Sequence, residues 1–304
     1  MVGMVSTKRG FALGLDIGGS SIKSALVEST SSQPEVVHKD LLTLHRSREP
    51  KQVVEDLVSI TTSYREKYGH IESIGVGIPG TIDGALGVPL VLPNFPPGWR
   101  GFPIRNELES ALRQTTTLVN DADAFAIAES TLGAGLGLKM VVCLVLGTGV
   151  GGSIVYEGSL FHGLGTAGEF GHITVDLDGP LCGCGNRGCV ETFAGSDAIA
   201  TLADRSSAKL AFEVAASGDT IAQAVIDRAA KALGAALANV YIILAPDAFV
   251  VGGGVAETAT SFISQVAYEA RQRVFIASGD NFRILKGQLG RHAGAIGAAL
   301  ISHD

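Results

Sequence analysis

The chain has 304 residues, 46% apolar and 6% aromatic, with 40 glycines and a formal net charge of −7. That length suffices for two ordinary domains, whose cores must be mostly aliphatic and whose turns must often be tight. The acidic balance argues against a protein that coats nucleic acid. Lys8 and Arg9 are followed by no long apolar stretch, and no segment reaches the roughly 18 uninterrupted apolar residues of a membrane span. Neither a signal peptide nor a transmembrane helix is therefore expected.

Phe11 to Asp16 is an apolar run that ends in a carboxylate and meets Gly18-Gly19-Ser20-Ser21; the apolar pattern resumes from Ile22 to Val27. This predicts a hairpin with a tight glycine turn rather than a strand feeding a helix. Pro50 to Lys67 places Val53, Val54, Leu57, Ile60 and Tyr64 at helical spacing and predicts a helix. Ile71 to Ile78 reads as a buried strand closed by Pro79-Gly80. Val91 to Pro103 holds Pro93, Pro96, Pro97 and Pro103 and predicts a loop. A helix over Phe102 to Arg113 and a short strand over Leu118 to Asn120 follow.

Asp121 to Leu132 predicts a second helix. Met140 to Leu146 is an apolar strand ending in Gly147-Thr148-Gly149-Val150-Gly151-Gly152, and strand character returns at Ser153 to Tyr156. The order strand, glycine turn, strand thus occurs once in each half. Thr220 to Leu244 predicts a long Ala-rich helix. Phe249 to Val251 predicts a strand running into Gly252-Gly253-Gly254, and Ala293 to Ile301 a terminal helix of small residues. No low-complexity tail or flexible linker interrupts the chain, so any boundary between lobes is crossed by short ordered segments.

Three constellations carry chemistry. A glycine-rich turn lets backbone N–H groups approach phosphate oxygens because no Cβ intervenes. One such turn would be a plain hairpin; two, with Asp16 at the mouth of the first, point to a nucleotide site in which the carboxylate holds Mg²⁺. Lys23 reads either as a solvated strand lysine or as added charge at that site. Asn120-Asp121 stands where a strand meets a helix. A carboxylate in a helix's first turn is favoured in its ionised form, which suits a general base, although Asp121 or Asp123 could also simply cap the helix. The third is His172 with Cys182, Cys184 and Cys189. Three thiolates and one imidazole form the closed tetrahedral shell of a structural zinc, with no position left open for catalysis. Clustered cysteines in a chain with no export signal favour a metal over disulfides. Cys143, the fourth cysteine, lies in an apolar strand and reads as core.

Together these elements resemble the ROK family, named for its repressors, open reading frames and sugar kinases, and most closely its bacterial glucokinases. Asp16-Ile17-Gly18-Gly19-Ser20 is similar to the family's first phosphate motif, with Ser20 where Thr is commoner. Leu146 to Gly152, with Gly147, Thr148 and Gly149, is similar to the second, and Val251-Gly252-Gly253-Gly254-Val255 to the adenosine motif. Glu169 to Cys189 is the most specific match, and Glu191 follows it as the family's acidic sugar contact does.

The resemblance implies an α/β fold of the two-lobed actin/hexokinase (ribonuclease H-like) ATPase class. A small lobe over residues 1–118, to which a helix at 291–304 returns, would precede a large lobe over 119–290 with the zinc loop. It implies Asp121 as catalytic base. Asn94, Asn120, Glu169, His172, Glu191 and the Pro79-Gly80 backbone would contact sugar hydroxyls. His172 would serve both zinc and sugar, so that the metal fixes its tautomer and aim. ATP, Mg²⁺ and a structural Zn²⁺ are the implied cofactors. A cytoplasmic homodimer acting on a hexose, with no nucleic-acid or membrane partner, is the implied assembly.

The expected reaction is transfer of the γ-phosphate of ATP to the 6-hydroxyl of glucose. N-acetylmannosamine, N-acetylglucosamine, mannose and fructose are the competing sugars, and polyphosphate the competing donor. A sugar-responsive repressor is a different class; its DNA-binding domain would need more than the fifteen residues ahead of Asp16. Retention of Asp16, Asp121 and both glycine turns argues against a non-catalytic sugar binder.

Overall fold

β1 (Phe11–Ile17) and β2 (Ser21–Glu28) form the first expected hairpin, with Asp16 opposite Lys23 and Ile17 opposite Ile22. β3 (Glu35–Thr43) adds to β2 as an edge strand that sequence reading did not mark. Its polar side chains, among them Lys39 and Asp40, suit an edge, where they discourage pairing with another chain. α1 (Pro50–Tyr68) begins on a proline whose missing N–H costs nothing at a helix start. It buries Val53, Val54, Leu57 and Tyr64. β4 (Ser73–Ile78) runs parallel to β1, and a small hairpin of β5 (Thr81–Asp83) and β6 (Val88–Val91) follows. α2 (Ile104–Leu112) leads to β7 (Thr116–Asn120), parallel to β4, and α3 (Asp121–Leu132) starts directly from it.

The second sheet repeats this plan. β8 (Met140–Leu146) and β9 (Val150–Tyr156) form the second hairpin, extended by β10 (Ser159–Leu160). Three helices that sequence reading left unmarked come next: α4 (Glu191–Ala194), α5 (Ser196–Leu202) and α6 (Ala208–Ala216). α7 (Thr220–Leu244) is the expected Ala-rich helix, capped by Asp219 on the N–H groups of Ile221 and Ala222. β11 (Ala248–Gly252) lies parallel to β8; α8 (Gly254–Thr258) and α9 (Thr260–Arg271) precede β12 (Ile284–Lys286), parallel to β11. α10 (Ala293–His303) closes the chain.

This computed structural model describes residues 10–28, 33–44, 49–92, 95–275 and 281–303. Two compact units emerge, Met1–Ala128 with Arg291–Asp304, and Glu129–Gly290. The first holds the sheet β3-β2-β1-β4-β7, the second β10-β9-β8-β11-β12. Each has its own apolar core, one around Leu13, Leu15, Leu57 and Trp99, the other around Leu144, Leu237, Phe249 and Phe262. The small residues of α10 have a packing reason. A Cβ at Gly14 or Gly75 would strike the backbone of Ala295 or Ala298, so the helix lies directly on the strands. Among the described residues no helix is long and apolar enough to cross a membrane.

Candidate active site

In a parallel sheet the carboxyl ends of the strands share one edge, where ligands of α/β proteins usually bind. β1, β4 and β7 bring Asp16, Pro79-Gly80 and Asn120-Asp121 to that edge of the first unit, with Asp16 opposite Gly77 and Ile78 opposite Asn120. Asn120 caps α3. Its Oδ1 accepts the N–H groups of Ala122 at 2.8 Å and Asp123 at 3.2 Å, while its Nδ2 donates to the Gly80 carbonyl at 2.7 Å. Capping therefore falls mainly to Asn120, while the Asp121 carboxylate accepts the adjacent Ala122 N–H at 2.9 Å. Burial, followed by the nearby Asp16 charge, raises the Asp121 pKa to about 7.

Asp16 is itself buried and receives the Lys23 ammonium at 2.9 Å. Lys23 is only 19% exposed, so the solvated reading gives way to an ion pair beside the glycine turn. A Cβ on Gly18 would stand 3.1 Å from Lys23 Nζ. The turn over Gly18, Gly19 and Ser20 closes through Gly18 N–H donating to the Ser21 carbonyl at 2.8 Å. Gly294, in the first turn of α10, also reaches this edge, since a Cβ there would lie 3.0 Å from the Asp16 carboxyl. Its place was not foreseen; the run of small residues in α10 is its only trace in the sequence. Asn94 lies outside the described residues.

In the second unit the turn Gly147-Thr148-Gly149 is held from the α4–α5 region. Ser196 N–H donates to the Gly147 carbonyl at 2.8 Å. Val150 N–H donates to Glu191 Oε2 at 3.0 Å. A Cβ on Gly149 would collide with that same oxygen. Gly253 presses on β8, its hypothetical Cβ 2.5 Å from the Leu146 carbonyl oxygen. Gly252 to Gly254 and the second turn thus meet at the carboxyl ends of β11 and β8.

The candidate zinc loop folds around its own backbone. Cys182 N–H donates to the Asn186 carbonyl at 2.7 Å, and Gly185 N–H to the Cys182 carbonyl at 2.9 Å. The ligand atoms of His172, Cys182, Cys184 and Cys189 all lie within 4.8 Å of one another. Tetrahedral zinc with bonds near 2.3 Å places two sulfurs about 3.8 Å apart. Cys184 and Cys189 Sγ are 3.7 Å apart, and Cys182 Sγ is 3.6 Å from His172 Nδ1. The donor set fits the ion. His172 Nδ1 faces the thiols while Nε2 lies 4.0 Å from Glu169 Oε2, so the two ring nitrogens serve opposite sides.

Comparison with known proteins decides the family. The ROK family profile matches residues 12–304. This chain belongs to the ROK family. It is 33% identical to a glucokinase of Halalkalibacterium halodurans over 94% of this chain and 92% of that one. It is 32% identical to an N-acetylmannosamine kinase of Vibrio cholerae over 86% of this chain and 91% of that one. Among solved structures, a ROK family glucokinase from Streptomyces griseus in complex with glucose and AMPPNP superposes with a TM-score of 0.80 at 30% identity, covering 97% of this chain and 99% of that one. The two-sheet α/β architecture is thus the ROK kinase fold.

Proposed function

We propose that glucose is the sugar that this ATP-dependent hexose kinase phosphorylates, on its 6-hydroxyl, in the cytoplasm. The observation that carries the reading is Asp121, placed at the carboxyl edge of the first sheet with its pKa raised to about 7. A general base works best when its pKa lies near the working pH. The relatedness to glucokinases, one of them solved with glucose and an ATP analogue, supports the choice of sugar and donor.

In this reading Asp121 takes the proton of the 6-hydroxyl as that oxygen attacks the γ-phosphorus of ATP. The P–O bond to ADP breaks, and the products are glucose 6-phosphate and ADP. Asn120 fixes the start of α3 and holds the Gly80 carbonyl, so the backbone that carries the base is held in place. The turns at Gly18 to Ser20 and Gly147 to Gly149 offer backbone N–H groups to phosphates, Lys23 adds positive charge, and Gly252 to Gly254 receive the nucleoside. Asp16 would hold Mg²⁺, which neutralises phosphate charge when bound. On the resemblance to the family we assign sugar contacts to Asn94, Asn120, Asp121, the Pro79-Gly80 backbone, Glu169, His172 and Glu191. His172, Cys182, Cys184 and Cys189 would hold a structural zinc, which would fix the His172 imidazole so that Nε2 can meet a hydroxyl.

Kinship with the N-acetylmannosamine kinase favours an N-acetylated hexose as the second reading. A panel of glucose, mannose, fructose, N-acetylmannosamine and N-acetylglucosamine, each with ATP or polyphosphate, separates the two by product formation. Highest kcat/KM with glucose and ATP is expected; an N-acetylated sugar turned over faster replaces glucose in the proposal.

A further inference from the structure

Glu129 lies in α3, outside every motif used above, and its side chain is fully buried. Both oxygens are engaged by backbone donors. Oε2 accepts the N–H groups of Ala134 at 2.9 Å and Gln288 at 3.0 Å, and Oε1 that of Leu289 at 2.9 Å. Local packing alone would be served by an apolar side chain, because a buried carboxylate is costly unless its hydrogen bonds are made. The chain makes room for this one: a Cβ on Gly133 would collide with Glu129 Oε2.

The two segments it joins lead to the two acids of the candidate site. α3 starts at Asp121. Gln288 and Leu289 run into α10, whose Gly294 abuts the Asp16 carboxyl. α3 and α10 also touch directly, since a Cβ on Gly297 would strike the Ala124 carbonyl. α10 is seated on β1, β4 and β7, and α3 leaves the end of β7 at Asp121. Glu129 stands about 7.5 Å along the helix axis from Ala124, and Asp121 about 4.5 Å on the other side, so a tilt of the far end of α3 about that contact would be passed on to the base.

We propose that Glu129 is a positioning residue for phosphoryl transfer, the second pin between α3 and the segment entering α10, which sets the spacing of Asp121 and Asp16. The proposal rests on the roles given to those two acids above. It asks Glu129 to touch neither sugar nor nucleotide.

The test uses the full chain. Glu129→Gln keeps the volume but puts an amide NH₂ where one set of N–H donors needs an acceptor. Gly133→Ala leaves the carboxylate in place chemically and displaces it sterically. Val266→Ala, a core truncation in α9 of the second unit, is the control for simple destabilisation. Amides of Gln288 and Leu289 should exchange slowly in the wild type and faster in Glu129→Gln and Gly133→Ala. Both variants should lose about tenfold to a hundredfold in kcat at saturating glucose and ATP, as misplacement by an ångström can cost. Glucose KM should change by less than about threefold, since binding groups remain. Val266→Ala should keep kcat at an equal loss of Tm. The proposal is overturned if Gln288 and Leu289 exchange freely in the wild type, or if kcat falls no further than in the control. If Glu129→Gln does not fold, Gly133→Ala and the wild-type exchange pattern decide. A wild type that turns over no sugar defeats the kinase reading itself, a result distinct from an active wild type whose variants match the control.

Discussion

Asp121→Asn keeps the shape of the side chain but cannot accept the hydroxyl proton. Loss of a general base costs roughly 10² to 10⁴ in rate, so kcat should fall by that factor, while glucose affinity measured by calorimetry changes little. Asp123 is the control. It lies two positions along α3 and so points to another face, and Asp123→Asn should retain most activity; the reverse pattern would make Asp123 the base. The raised pKa of Asp121 gives a second expectation. The base must be ionised, so kcat/KM for glucose should rise with pH through about 7. That limb should vanish in Asp121→Asn. The Asn120-Asp121 junction was legible because both residues sit where one strand meets a helix. The pKa was not, because burial and the approach of Asp16 come from packing across strands far apart in the chain. Nor was the division of labour by which Asn120 takes the cap.

At the scale of elements, the candidate zinc loop is built largely from residues near one another in sequence. Cys182, Cys184 and Cys189 lie within one short stretch, the bridges pairing Thr174 with Cys189 and Leu181 with Arg187 close it, and the four ligand atoms converge. With the thiols kept reduced, metal analysis should find about one zinc per chain. Cys184→Ser should lose the metal and lower Tm sharply, since structural zinc contributes on the order of 10 kcal/mol in small metal-folded modules. Fully stable and active protein without metal would sink the assignment. The loop was readable because its ligands and glycines are neighbours in sequence. Elements whose character comes from elsewhere escaped. β3 is a strand by virtue of its register with β2, not of a strong apolar pattern. The short α4 is placed against α7 and carries Glu191 to the second glycine turn.

At the scale of the whole molecule, Asp121 also bears on stability. Its folded pKa of about 7 exceeds the ordinary value of 3.8, so the native state binds this proton more tightly than the unfolded chain. The resulting stabilisation is fully present below the unfolded pKa and is lost as pH rises through about 7. Denaturant unfolding at pH 5 and pH 8 should therefore show a larger loss of stability for the wild type than for Asp121→Asn. An equal loss in both would mean that this carboxyl does not titrate near neutrality. The sequence by itself determined the two hairpins with their glycine turns, the Asn-Asp junction, the cluster of three cysteines and a histidine, and the family, because each is written in residues close together along the chain. Only the tertiary structure decided which partners those residues meet. Lys23 lies on Asp16, Glu191 on the second turn, Gly294 beside Asp16, and Glu129 on amides 159 and 160 positions away. Such contacts depend on how strands and helices pack, and a local pattern of residues carries no record of the partner that folding brings from a distance.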